Sequence, residues 1–352
     1  MLRISERKLV TVREITSIHE IDNADAIEYV KVEGWEVVTK KNEFKVGELC
    51  VYFEIDSFLP ADDSRFDIFM KNKTLFEGKD GAKIRTVKLR GQVSQGLIME
   101  LSVFPEIVKS IVGLSESEIR SLDFSEDLGV IKWEAPIPSE LDGEVVGAMP
   151  TEISSTSQDR IQNLPDVLCS YAETEFEASI KLDGESMTVF RTNSNNGVCS
   201  KSWWYEEADD NALWSVAKKN NLIPALNSLG RNLALQGEII GEGINGNKEK
   251  IKGKDFYLFR IYDIDASKIL GRVERDQVIN ELRGRGAIIN VCPIVGITKL
   301  KVFSAKVSAI LDYAVGPSLN PKHRREGLVF TSLDGRVHFK VISNKYLLKH
   351  GG

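Results

Sequence analysis

Along the first hundred residues, apolar and polar side chains alternate with a period of two. Leu9–Ile15, Ile27–Val32, Trp35–Val38, Glu48–Ile55 and Gly96–Leu101 each carry the pattern, and Asn, Asp and Gly punctuate it. Successive side chains of a strand point to opposite faces, so this rhythm predicts several short half-buried strands and little helix. After residue 150 the pattern becomes mixed. Phe176–Thr192, Gly197–Trp203, Leu233–Ile240 and Asp255–Ile264 read as strands, and Glu326–Ser332 with Arg336–Ser343 reads as a hairpin across Asp334-Gly335. Asp210–Asn220, Glu274–Arg283 and Ala305–Ala314 carry helical spacing, the first capped by Asp209 or Asp210 and the second ended by Gly284.

Short strands with frequent turns fit a small, partly open five-stranded barrel of the OB type, a fold that often binds nucleic acid on a strand face. The later strands interleave with helices but lack a regular βαβ rhythm, which predicts an α+β domain of antiparallel sheets and helices. Leu114–Glu126 is rich in Ser, Glu and Asp, and Glu134–Pro150 in Pro and Gly. The expected division is therefore an OB-like domain over 1–125 and a second domain over 126–352.

Length and composition agree with two soluble domains: 352 residues, 42% hydrophobic and 28% charged. Nothing resembles a signal peptide or a membrane-spanning run, so the expectation is a cytoplasmic protein without membrane contact. Four cysteines and four histidines are scattered without metal-ligand spacing. A net charge of −6 argues against a chain that coats nucleic acid, and leaves local basic patches as the means of contact. Three patches stand out: Lys83/Arg85/Lys88/Arg90 along one strand, Lys248/Lys250/Lys252/Lys254, and Lys322/His323/Arg324/Arg325. Each reads equally well as a solvated polar face.

The chemistry centres on Lys181-Leu-Asp-Gly184 inside Ala178–Arg191. Leu-Asp-Gly also occurs at 141–143 and 333–335, and Asp-Gly is first of all a turn signal, so the tetrapeptide alone reads as a surface turn. Its company changes that. Gly241-Glu-Gly-Ile-Asn-Gly246 matches a dinucleotide fingerprint but is followed by a Lys-rich, Gly-broken stretch instead of an apolar helix, and no P-loop exists. A nucleotide would then have to be handled by a lysine nucleophile. Such a lysine needs acids that hold metal, cations that neutralise phosphate, and an aromatic platform for a base. Gln236-Gly-Glu238, Phe256–Asp263, Glu326-Gly327 and Val337–Ile342 with Lys340 supply them in order.

This ordered set resembles the covalent nucleotidyltransferase superfamily of ATP-dependent ligases and mRNA capping enzymes. Lys181-Leu-Asp-Gly184 is similar to motif I, Gly237-Glu238 to motif III, Phe256–Phe259 to motif IIIa, Glu326-Gly327 to motif IV and Phe339-Lys340 to motif V. A barrel that precedes this domain, with little chain after Lys340, resembles the Deinococcus-type ATP-dependent RNA ligases; Lys340–Leu347 and Asp159–Asn163 are also similar to that group.

The resemblance implies an RNA ligase that joins a 3′-OH to a 5′-phosphate through lysyl-AMP on Lys181, then an adenylylated 5′-end. The implied substrates are ATP and a nicked RNA or RNA/DNA duplex with RNA on the 3′-OH side, with Mg2+ or Mn2+ as cofactor. Asp183 would contact the ribose or assist the nucleophile, and Glu238 would bind ribose or metal. Phe259 would stack on adenine, Glu326 would hold metal, and Lys340 would neutralise the α-phosphate. Lys201 or Arg191 would stand for the family's motif Ia arginine, and His338 replaces the first motif V lysine. Lys83, Arg85, Lys88 and Arg90 would grip nucleic acid, and a monomer is expected. The competing readings are a DNA ligase or capping enzyme, and a non-catalytic nucleic-acid-binding protein.

Overall fold

The computed structural model describes residues 7–134 and 143–350. Leu141 and Asp142 of the first Leu-Asp-Gly triplet lie outside them, as do the first six residues. The described residues fall into two compact units. One holds 7–134, 161–165 and 344–350, and the other 143–160 and 166–343. The division falls later than the Ser/Glu/Asp-rich stretch suggested, and it is discontinuous.

In the first unit, five antiparallel strands follow the order Leu97–Glu100, Leu49–Phe53, Val10–Glu20, Ile27–Val32, Trp35–Lys40. The long first strand pairs on both sides, and a register shift between Ile15 and Ser17 bends it. Val10, Val12, Val30, Val32, Val37, Val51 and Phe53 are buried, as the alternation predicts. Residues 161–165 return to this unit for a local reason. Gly34 N–H donates to Gln162 O at 3.1 Å, and a Cβ on Gly34 would stand 2.6 Å from Gln162 Cα. The Trp35 indole donates to Asn163 Oδ1 at 2.7 Å. The basic stretch Ile84–Gly91 is not one strand. Lys79–Lys83 ends in one sheet, and Thr86–Leu89 forms a separate hairpin with Gln92–Gln95. Arg90 and Gly91 both take positive φ at its turn, as a two-residue hairpin of the right twist requires.

The second unit is built on two sheets. The larger has eight strands, with Glu185–Arg191, Leu233–Gly241 and Lys254–Asp263 side by side in its middle. Met187, Val189, Leu235, Ile239, Phe256 and Leu258 bury themselves under the helices Ala212–Lys219, Leu222–Leu229 and Arg272–Gly284. By strand alternation, Ser186, Thr188, Gln236, Glu238 and Tyr257 take the opposite face. The smaller sheet runs Ile294–Lys299, Glu175–Lys181, Gly327–Ser332, His338–Ile342. Phe176, Phe330 and Phe339 pack on one of its faces, with the last two rings stacked 5.3 Å apart. Glu177, Ser179 and Lys181 lie on the other.

Phe176–Thr192 is thus two strands, one in each sheet, and the Lys-Leu-Asp-Gly turn carries the chain between them. The helix expected over 210–220 is capped by Asn211, whose side chain accepts from Leu213 N and Trp214 N, in place of either aspartate. Leu222–Leu229 is a further helix that the periodicity does not predict.

Candidate active site

Lys181 is the last residue of its strand and pairs across to Gly327, so Glu326 emerges beside it. Lys181 Nζ lies 2.6 Å from Glu326 Oε2. The Glu326 carbonyl accepts from Ser343 N at 2.9 Å, which ties the acid to the neighbouring strand's end. Beyond Lys181, buried Leu182 anchors the turn. Gly184 N–H then donates to Glu238 Oε1 at 3.1 Å. Only glycine fits there, because a Cβ would stand 2.5 Å from Ile240 Cγ2 and 3.0 Å from Glu238 Cγ.

Asp183 is held by residues from the rejected fingerprint at 241–246 and from the basic patch that starts at Lys248. Lys248 forms an ion pair with Asp183 Oδ2. Asn245 Nδ2 donates to Gly184 O at 2.9 Å and reaches Asp183 Oδ1 at 3.4 Å. The Gly-rich loop 241–246, no dinucleotide fingerprint, therefore clamps the Lys-Leu-Asp-Gly turn through Asn245. Its Asn245 and the following Asn247 sit at positive φ, which short polar side chains tolerate. Glu242 is exposed on the same loop.

The electrostatics of this cluster are tightly coupled. Burial works to discharge the Lys181 amine, but the charges of Glu326, Glu238 and Asp183 outweigh it and hold its pKa above that of an ordinary lysine. Glu238 goes the other way for a carboxyl. Burial, opposed by Lys181 and reinforced by the charge of Glu326, lifts it to about 8. Three carboxylates, Glu326, Glu238 and Asp183, act on Lys181, and Lys248 pairs with the last of them.

Lys340 lies across from Val329, which lies across from Ser179, so it shares the polar face of the small sheet one step in from Lys181. Its backbone N–H donates to Asp159 O at 2.8 Å. His338 lies on the same face, opposite Thr331, and does not turn outward. Burial and the neighbouring Arg260 push its pKa down to about 4, so its ring is neutral. Arg260 is itself buried. It donates from Nε to Gln236 Oε1 at 2.6 Å and also bonds Ser155 O.

The two motif Ia candidates separate clearly. Cys199, the last residue of its strand, pairs with Thr188, and Lys201 follows in the turn that Ser200 N–H closes on Trp203 O at 2.9 Å; two steps from Thr188, Ser186 pairs with Glu238. Arg191 stands at the far end of the same strand, bonded to Asn232 at 2.8 Å. Five residues separate it from Ser186, roughly 16 Å along a strand. It does not join the cluster. Phe259 is the residue left out of the ladder at a register shift, between Leu258 and Arg260, and lines a small pocket with Glu177, Arg260, Arg275 and Thr331. Tyr257, inside the motif IIIa stretch but given no role there, is the aromatic directly across from Glu238.

The first basic patch also changes. Lys83 is ion-paired with Asp56 at 3.4 Å and lies 3.7 Å from the centroid of Trp133, with its side chain 5% exposed. It is a packed structural cation and not a free contact for nucleic acid. Arg85, Lys88 and Arg90 are exposed. In the third patch, Arg325 is buried on the carbonyls of Tyr313 and Ala314.

Both units resemble known proteins. A family model described as RNA ligase matches residues 174–347, and an OB-fold domain model matches 9–101. Structures of Naegleria gruberi RNA ligase match almost the whole chain. An apo mutant form is 46% identical, with 98% of each chain covered and a TM-score of 0.91. The chain belongs to the RNA ligase family. A form of the Naegleria ligase with AMP and Mn is 46% identical over 98% of this chain and 99% of that one, with a TM-score of 0.92. Another with pyrophosphate matches to the same extent at 0.91. A sequence search of curated proteins found no match. In this ligase, the motif residues lie on or beside the two sheets of one unit, and the OB-fold residues lie in the other.

Proposed function

We propose that this ligase seals nicks in duplexes with RNA at the 3′-OH side, using ATP and a lysyl-AMP intermediate on Lys181. The pairing of Lys181 with Glu326, beside Glu238 and the clamped Asp183, carries the reading. Three steps follow. The Lys181 amine, after losing a proton, attacks the α-phosphorus of ATP; the bond to the bridging oxygen breaks and pyrophosphate leaves with that electron pair. The nick's 5′-phosphate oxygen then attacks the same phosphorus and displaces the lysine nitrogen, which takes up a proton. Finally the 3′-OH attacks the activated 5′-phosphate and AMP departs.

Each residue's part follows from its place. Glu326, in contact with the amine, holds it charged until the pair opens. Lys340 and Lys201 bring positive charge to the phosphates from opposite sheets, Phe259 or Tyr257 offers the base a platform, and Asp183 and Glu238 meet the ribose. Glu326 and Glu238 also suit Mg2+ or Mn2+, hard ions that take a few carboxylates and fill the rest of their shell with water and phosphate oxygens. The carboxyl groups of Glu326 and Glu238 beside Lys181 are the ones placed to meet such an ion. When bound, it supplies positive charge that weakens the hold of these acids on the lysine proton.

The relatives support the nucleotide: structures of the Naegleria ligase carry ATP or AMP with Mn. We also take the enzyme to be a cytoplasmic monomer, in keeping with four free thiols among the described residues. No described helix is long and apolar enough to cross a membrane. Incubation with α-labelled ATP and a divalent ion tests the chemistry, because label must reach protein and then a 5′-end. Sealing of nicks with RNA or DNA on the 3′-OH strand tests the substrate; equal use of both, or preference for DNA, would overturn the RNA assignment.

A further inference from the structure

The OB-fold unit carries a charged surface assembled from two distant parts of the chain. The hairpin Thr86–Leu89/Gln92–Gln95 packs against the helix Asn344–His350. Arg85 precedes the hairpin, Lys88 lies on its first strand and Arg90 at its turn, while Lys345 and Lys349 lie on the helix. All five are exposed. None makes an ion pair or side-chain hydrogen bond with another described residue. Several other cations of the same unit are matched: Arg7 with Glu54 and Asp56, Arg65 with Asp63 and Glu106, Lys73 with Asp80. Glu36, which reaches the hairpin, already accepts from Gln92 at 2.8 Å and faces Lys31. Five unmatched cations on touching elements are costly by mutual repulsion, and a chain of net charge −6 has no shortage of acids to offset them.

We infer that this hairpin–helix surface binds the phosphate backbone of the RNA duplex to be sealed. The inference rests on the nick-sealing reading above. The charge calls for a polyanion, and a narrow two-stranded ribbon with a basic tip suits a duplex whose phosphates line an open groove. Val87 and Leu89, each 42% exposed, alternate with Lys88 and offer apolar contact to sugars. Lys83 has no share in this surface.

Three full-length variants test it: Arg85→Gln/Lys88→Gln/Arg90→Gln, Lys345→Gln/Lys349→Gln, and Lys109→Gln as a control lysine elsewhere on the unit. Retained labelling of the protein by ATP, a step without RNA, reports that each is folded; if the triple variant loses it, Lys88→Gln alone replaces it. Binding to a nicked RNA duplex is measured against salt. Both surface variants should bind on the order of 10- to 100-fold more weakly, and the control should be unchanged. The slope of log K against log salt should become shallower by about 0.7–0.9 for each phosphate no longer neutralised. An unchanged slope in the hairpin variant overturns the proposal, and an unchanged slope in the helix variant removes the helix from it. A wild-type protein that binds the duplex in this way but seals no nick refutes the substrate reading and leaves the surface standing.

Discussion

Lys181 Nζ stands 2.6 Å from Glu326 Oε2 although 145 residues separate the two in the chain. In the proposed chemistry this ion pair keeps the amine from attacking until it is broken, because a protonated lysine is no nucleophile. Lys181→Ala should therefore abolish transfer of label from α-labelled ATP. Lys181→Arg should do the same, since a guanidinium stays protonated.

The same pair sets a pH dependence. Wild-type adenylylation should rise with pH across roughly 7 to 10, as an amine with a raised pKa gives up its proton. Glu326→Gln removes a cause of that raised pKa, so the rise should move to lower pH. Its maximum should also fall by more than about 10-fold if Glu326 holds the metal. Stopped reactions over a buffer series would show both. A profile at the same pH as wild type would contradict the coupling.

Glu238 makes a stability prediction of definite sign. Its folded pKa, about 8, lies above the ordinary carboxyl value of 4.5. Between those values the folded state binds more protons than the unfolded one, so stability falls as pH rises through that window. Thermal melting of the metal-free protein should show this decline. Glu238→Gln should flatten it, and added Mg2+ or Mn2+ should offset it in wild type only.

The Asp183–Lys248 clamp should matter to chemistry more than to folding, since a partly exposed ion pair contributes little stability. Lys248→Ala should lower adenylylation on the order of 10-fold, with a melting temperature shifted by about 2–4 °C or less. A cycle with Asp183→Asn should be non-additive, as expected for residues acting as one unit. Additive losses would mean that the two serve separate ends.

Lys201 and Arg191 differ in place: the first lies in the turn after Asn196–Cys199, the second at the far end of Glu185–Arg191, bonded to Asn232. Lys201→Ala should weaken adenylylation at limiting ATP by about 10-fold, in the range of one hydrogen bond to a charged group, and Arg191→Ala should leave it within about twofold. The reverse result would displace Lys201 from the proposed phosphate contacts.

Much of this site is legible in the sequence before any fold is known. Lys181, Glu238, Glu326 and Lys340 each carry a motif, and the structure sets them on or beside the polar faces of two sheets of one unit. What the sequence misses has physical causes. Phe176–Thr192 looks like one strand because alternation continues on both sides of the turn, and periodicity says nothing about which sheet a strand joins. Lys83 looks free because its partners, Asp56 and Trp133, are remote in sequence. Arg191 looks close to Lys181 by chain number but lies a strand's length from the Glu238 row.

The sequence by itself determined the local rhythm, the order of the motifs and so the family, because side-chain alternation and short-range turn chemistry are written residue by residue. Tertiary structure alone decided the partners: Glu326 for Lys181, Lys248 for Asp183, the helix Asn344–His350 for the basic hairpin. Those pairings depend on strand register and sheet membership, and these emerge only when distant segments compete to bury the same apolar faces.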